Sequence, residues 1–273
     1  MKPVDLLELY DREERQNASF YNSLREESPH VVRHRPKPGM KGGCCILYSR
    51  LTPENADRVI EEQVADFERL GLDFEWKLYD HDQPPDLRER LAAHGFAIEE
   101  AEALMVLDLA QIPEALLQPV THDIRRITDP EQIYAAVIAV KEEIWQENQA
   151  RHAEELTQEL RLNGEHISFY AGYVDDRPVC SAWIRFSERG PSARGLFASL
   201  WGGSTLPAHR KHGFYTALVA LRAQEAIRRG YRFLTIDASP MSRPIVARHG
   251  FQLLTYTHPC TWHPSSTSSH QSS

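Results

Sequence analysis

The chain has 273 residues, 41% hydrophobic and 26% charged, enough to bury the core of one large or two modest domains. Its formal net charge of −8 is concentrated in residues 1–113, which hold 14 Lys and Arg against 23 Asp and Glu, while residues 114–273 hold 17 against 16. So acidic a surface disfavours nucleic acid, and no apolar run approaches the ~20 residues that span a bilayer, so neither nucleic acid nor a membrane is an expected partner.

Met1 to Asp11 is acidic and periodic, without the apolar centre of a targeting segment, and predicts an amphipathic helix. Leu51-Thr-Pro53 then precedes a helix predicted from Ala56 to Leu70, closed by Gly71. Phe74–Tyr79 reads as a strand, and Leu87–His94 as a short helix ending at Gly95-Phe96. Residues 113–122 interrupt the periodicity with two prolines and read as a linker between domains at 1–112 and 123–263. The four cysteines, at 44, 45, 180 and 260, have no metal-ligand spacing; they read as packing residues of a reduced, cytoplasmic protein without a metal.

The second half predicts a strand at 124–127, helices over 130–144 and 149–162, and strands at 167–174, 178–187 and 195–203. Gly202 and Gly203 within the last strand predict a bulge or a close backbone approach. A long helix over 213–229 sets Phe214, Ala217, Leu218, Leu221 and Ala226 on one face, and a strand at 233–237 follows. Residues 264–273, nearly all Ser, Thr and Gln, cannot bury surface and predict a disordered tail.

Between strand and long helix lies Pro207-Ala-His-Arg210-Lys-His-Gly213-Phe-Tyr215. The first turn of a helix has unpaired N–H groups and a partial positive charge, so a loop that opens one can hold phosphate. An ordinary strand-to-helix turn is the plain alternative. The halves also repeat: proline, helix, glycine, apolar strand, short helix and Gly-Phe recur in order. The first copy is five residues shorter between Pro53 and Gly71 than the second between Pro207 and Gly230. It has Glu54-Asn-Ala-Asp57 where the second has its basic loop.

The loop resembles the acyl-CoA pyrophosphate loop of the GNAT superfamily of N-acetyltransferases, Pro-x-x-Arg-x-x-Gly-x-Gly/Ala. Pro207, Arg210 and Gly213 match, and Tyr215 replaces the usual small residue. The resemblance implies an α/β fold (α+β, mixed sheet) of two GNAT-like domains, each a mixed, largely antiparallel sheet flanked by helices, the first degenerate. It implies acetyl-CoA as co-substrate, held by Ser204, Thr205, Leu206, Arg210, Lys211, His212, Gly213, Phe214, Tyr215 and Thr216. It implies acetyl transfer to a primary amine, with Asp237, Ser239, Ser242 and Tyr256 as candidates for proton transfer and for the cofactor arm. Glu142 and Trp145, beside Glu143 and Glu147, are candidates for the acceptor pocket. The family's frequent general-acid Tyr, four residues before the glycine of the Gly-Phe pair, is Val246 here. That departure keeps a second reading open, a non-catalytic acyl-CoA sensor or interaction protein. A P-loop nucleotide site is excluded, because no Gly-Lys-Ser/Thr follows the glycines.

Overall fold

The computed structural model describes residues 3–189 and 193–264, so the predicted tail lies outside the described residues from 265 on. Helix α1 (Pro3–Tyr10) runs into a wider helical turn at Asp11–Gln16. There follow β1 (Ser23–Glu27), β2 (Val31–Pro36), β3 (Cys44–Ser49), α2 (Ala56–Leu70), β4 (Phe74–Tyr79), α3 (Leu87–Ala93), β5 (Ala97–Ile98) and β6 (Glu102–Asp108). The second half holds β7 (Ile124–Ile127), α4 (Ala139–Trp145), α5 (Ala150–Asn163), β8 (Ile167–Val174), β9 (Arg177–Arg189) and β10 (Ala193–Thr205). It closes with α6 (Phe214–Arg228), β11 (Phe233–Ala238), α7 (Arg243–Arg248) and β12 (Gln252–Trp262). Among the described residues no helix is long and apolar enough to cross a membrane.

Two units result, each drawn from two stretches of sequence. The larger takes Met1–Asn22 and Ala103–Leu254, and the smaller takes Ser23–Glu102 and Thr255–Ser273. In the smaller unit β1, β2 and β3 form an antiparallel ladder, β4 lies parallel to β3, and β12 lies antiparallel to β4. In the larger unit β7, β8, β9 and β10 are antiparallel, β11 is parallel to β10, and β6 is antiparallel to β11. Both are mixed, largely antiparallel sheets flanked by helices, and each parallel pair is joined through a helix, α2 or α6, as a parallel connection requires.

The last strand of each sheet comes from the other half of the sequence. β6 follows the smaller unit's α3 and β5 but pairs with β11, and β12 follows the larger unit's α7 but pairs with β4. The division therefore differs from the boundary expected at 113–122. Leu116 in that segment is fully buried, and Gln224 of α6 donates to the carbonyls of Leu116 and Gln118, so the segment is part of the larger unit. Helix α1 belongs there too, with Tyr10 edge-on to Phe197 at 5.6 Å between ring centroids.

Aromatic packing builds the smaller core: Phe67 of α2 stacks on Phe74 at 4.1 Å, and Phe96 and Trp262 pack on the same ring. The sheet of the larger unit has two distinct faces. Ser168, Tyr170, Phe186 and Ala198 turn toward α6, where the Ser168 and Tyr170 hydroxyls donate to the buried carboxylate of Glu225. Ile167, Phe169, Ala171 and Trp183 turn the other way, onto Val137, Ile138, Ala153 and Leu156 of the α4–α5 layer.

His34 of β2 is 1% exposed, its Nδ1 sits 3.1 Å from the Ser23 hydroxyl, and burial, helped by Arg25, pushes its pKa down to about 4. The unfolded chain then binds the extra proton between about pH 6.5 and pH 4. The stability from keeping His34 neutral is complete above that window and is lost as pH falls through it. His34→Asn is expected to flatten the fall of Tm across this window; an unchanged slope would refute the assignment.

Candidate cofactor and acceptor site

Strands β10 and β11 pair in parallel at Phe197–Phe233, Ala198–Leu234 and Ser199–Thr235, and there the pairing stops. Beyond it β10 stays bonded to β9 as far as Thr205, and β11 stays bonded to β6 as far as Ala238. The two strands part in a V, which leaves the edge of β10 from Leu200 onward without a strand partner on that side among the described residues. A bulge accompanies the parting: two residues, Gly202 and Gly203, face one residue of β9 between the pairs Trp201–Trp183 and Ser204–Ser181. Gly202 has φ +62°, and a Cβ there would lie 1.8 Å from the Trp183 ring. Arg222 of α6, itself 1% exposed, holds this region by donating to the carbonyls of Trp183 and Trp201.

From Thr205 the chain makes a short 3₁₀ turn at Pro207–His209, an extended Arg210 and a left-handed Lys211 (φ +65°), then enters α6 through Gly213 (φ +86°). No side chain caps the helix, so the N–H groups of its first turn are available to an anion. A Cβ on residue 213 would meet the His122 ring at 3.0 Å. His122 donates from Nε2 to the His212 carbonyl (2.8 Å) and packs on Phe214, which fixes the loop from beneath. Arg210 is anchored by Nε on the Thr205 carbonyl (3.1 Å), and neither it nor Lys211 forms an ion pair among the described residues. Tyr215, whose phenol pKa burial raises, lies over Gly203, where a Cβ would come within 3.1 Å of its ring. The large residue at this loop position is thus accommodated by a missing side chain on β10.

The parallel register places Thr235 and Asp237 on the same face of the sheet as Ser199 and Trp201. The antiparallel register adds Arg185 and Trp183 to that face. The α4–α5 layer lies over it: Lys141 Nζ is 5.1 Å from the Trp183 ring centroid, His152 is edge-on to the same ring at 5.7 Å, and Glu159 takes Arg185 through two bonds of 2.8 Å. Burial, then Lys141 and Arg185, push the His152 pKa down to about 4, so the imidazole is neutral at pH 7. Trp201 is 41% exposed, so the face is open toward the V.

The residues expected from sequence fall in four places. Ser204, Thr205, Leu206 and Arg210 to Thr216 are contiguous around the loop and the end of β10. The Thr216 hydroxyl lies 3.1 Å from His249 Nε2, whose pKa burial lowers. Asp237 is at the V, with one carboxylate oxygen buried, and Ser239 and Ser242 share a turn (Oγ to Oγ 3.3 Å) that opens α7. Tyr256, on β12, belongs to the smaller unit. Glu142 is engaged locally: its carboxylate accepts from Tyr134 Oη (2.6 Å) and from the N–H of Gln149 (2.8 Å), which lowers its pKa and braces the α4–α5 junction. Trp145 is 59% exposed at the end of α4, and Glu143 is paired with Arg177 at 2.7 Å. Val246 is fully buried. Sequence reading missed His122, Lys141, Trp183 and Trp201, although the alternation of Trp183, Arg185, Ser199 and Trp201 along two strands could have signalled a shared face.

No family model matches the chain, and no curated protein matches its sequence. Its fold is that of the GNAT acetyltransferases. It is similar to a GCN5-related N-acetyltransferase from Kribbella flavida, with TM-score 0.62, 12% identity and 96% of each chain covered. It is also similar to a tandem GNAT protein from the clavulanic acid biosynthesis pathway, with TM-score 0.57, 14% identity, and 91% of this chain and 86% of that one covered. A functionally unknown conserved protein from Staphylococcus epidermidis is similar at TM-score 0.65 and 14% identity, with 90% and 96% covered.

Gly202→Ala is expected to cost at least about 2 kcal/mol in urea unfolding, because the methyl group meets the Trp183 ring and the backbone is left-handed. A loss below about 0.5 kcal/mol would show that the ring moves aside freely.

Proposed function

We propose that the larger unit binds acetyl-CoA and transfers its acetyl group directly to an amine, with both substrates bound at once. The observation that carries this reading is the V between β10 and β11 beside an uncapped, glycine-entered helix. The N–H groups of the α6 first turn, with Arg210 and Lys211, would hold the pyrophosphate, and the unpartnered edge of β10 would bond the amide-bearing arm. The thioester would then lie near Asp237, toward the end of β11, and near Ser239 and Ser242 in the following turn.

Transfer requires the amine nitrogen to form a bond to the acetyl carbonyl carbon while the carbon–sulfur bond breaks and the sulfur leaves as thiolate. The nitrogen loses one proton and the sulfur gains one, so the exchange balances without a further reactant. In this reading Asp237 is the candidate to take the proton, and Ser239 or Ser242 the candidate to supply one to the sulfur. The buried Val246 removes the acid that the family resemblance would put there. The same residue favours the second reading, in which the larger unit binds acyl-CoA as a sensor and transfers nothing.

The smaller unit is read as unable to hold CoA. At the N-terminus of α2, Arg90 bonds Asp57 (2.5 Å) and the Pro53 carbonyl (3.2 Å), and the Asn55 carboxamide accepts from the Thr52 N–H, so carboxylates and local bonds occupy the first turn. One CoA per chain is the expected stoichiometry. A cytoplasmic location belongs to the same reading and rests on four free cysteines, three of them buried.

The test is thiol release from acetyl-CoA over a panel of primary amines, alongside calorimetric titration of CoA. Release with at least one amine and one CoA per chain is expected; CoA binding with no release would favour the sensor, and no binding would overturn both readings. Gly213→Glu is expected to abolish CoA binding by filling the loop and adding like charge. Asp237→Asn should lower kcat about 100-fold or more and leave the CoA Kd unchanged; a Kd change as large as the kcat change would make Asp237 a binding residue instead.

A further inference from the structure

The acceptor face carries one cation, Lys141, with no ion pair among the described residues, and one carboxylate, Asp237, assigned above to the amine. Arg185 is satisfied by Glu159 through two bonds, and Glu155, the next carboxylate along α5, lies 3.2 Å from Arg151. Tyr21, whose phenol burial keeps protonated, and the neutral His152 add no negative charge. Lys141 is left over. Its ammonium lies over the Trp183 ring, partly exposed, and forms no ion pair among the described residues. Burial and the neighbouring Arg185 lower its pKa, as befits a cation short of a counter-charge.

Its position links this surplus to the V. The ring under Lys141 is the one that occupies the space above Gly202, at the bulge where β10 leaves β11. Trp183 is only 2% exposed, so a molecule at the V rests on Trp201 rather than on that ring, and with its amine toward Asp237 it shares this face with Lys141. Of the carboxylates at the α4–α5 junction, Glu142 is used by Tyr134 and Gln149 and Glu143 by Arg177, which leaves the exposed Glu147.

We propose that the acceptor is an amine that also carries an anionic group, in the simplest case a carboxylate, and that Lys141 holds that group beside Trp201. This rests on the transfer reading above and names its substrate class. A charge-assisted hydrogen bond in a partly buried site supplies tenfold or more in affinity.

The experiment compares glycine, β-alanine, phenylalanine and tryptophan with their carboxamides, at matched concentrations of neutral amine, by thiol release from acetyl-CoA. Wild type is expected to prefer the acid in at least one pair by about tenfold or more in kcat/KM. Lys141→Met, which keeps the stem on Trp183, should erase that preference through KM and leave the amide and the CoA Kd unchanged, whereas Lys141→Arg should restore it. Equal use of acid and amide by wild type, or a preference that survives Lys141→Met, overturns the inference while transfer stands. The same pairs are titrated by calorimetry into wild type and Lys141→Met with CoA present. If no amine is acetylated, the transfer reading fails by itself, and acid binding that is absent, or that does not depend on Lys141, overturns the inference independently.

Discussion

The packing of one ring governs the candidate site. Trp183 fills the volume that a side chain on residue 202 would need, so β10 passes it only as a left-handed glycine and bulges there. A bulge re-aims a strand, and this one lies just past the last pair joining β10 to β11. The carbonyls of Trp183 and of its cross-strand neighbour Trp201 both accept from Arg222, a guanidinium withdrawn from water whose pKa burial pushes down to about 10. A buried cation satisfied by carbonyls alone is costly to dislodge. The V is thus a fixed feature of the sheet, held from the α6 side, and a ligand would find it already formed.

The two faces of that sheet have different tasks. On the α6 face, Glu225 collects Ser168, Tyr170 and Arg229, so its charge is fully used within the fold. On the other face Arg185 is taken by Glu159, whereas the Lys141 ammonium over Trp183 forms no ion pair among the described residues. Structural charges are paired, and charges awaiting a ligand need not be. Comparing the two faces of one sheet is therefore more informative than the net charge of −8, which suggests an attraction for cations.

Local patterns in the sequence were read well where one element sufficed. Helix α2 runs from Ala56 to Leu70 and β4 from Phe74 to Tyr79, as their periodicity and bounding residues predict. The glycine pair at 202–203 does mark a bulge, and Gly213 does open α6. What escaped was register and partner choice. Nothing in a linear pattern says that β6 pairs with β11 and β12 with β4, because either strand satisfies the same alternation in either sheet. Glu142 and Trp145 stand near a helix junction, yet the carboxylate of Glu142 serves the junction itself. Lys141, one residue earlier, could not be singled out without knowing that it covers Trp183.

The exchange of final strands also fixes an order of assembly. During synthesis the smaller unit's residues 23–102 emerge early, yet their sheet lacks the partner of β4 until residues 255–262 follow. Until then β4 presents an open edge, the kind of surface that pairs with the wrong chain. The larger unit faces the opposite situation, since β6 is made long before β11. Neither half is an independent module that could be lost, duplicated or grafted elsewhere by cutting the chain near residue 113. Discarding either sheet would strip a strand from the one that remained.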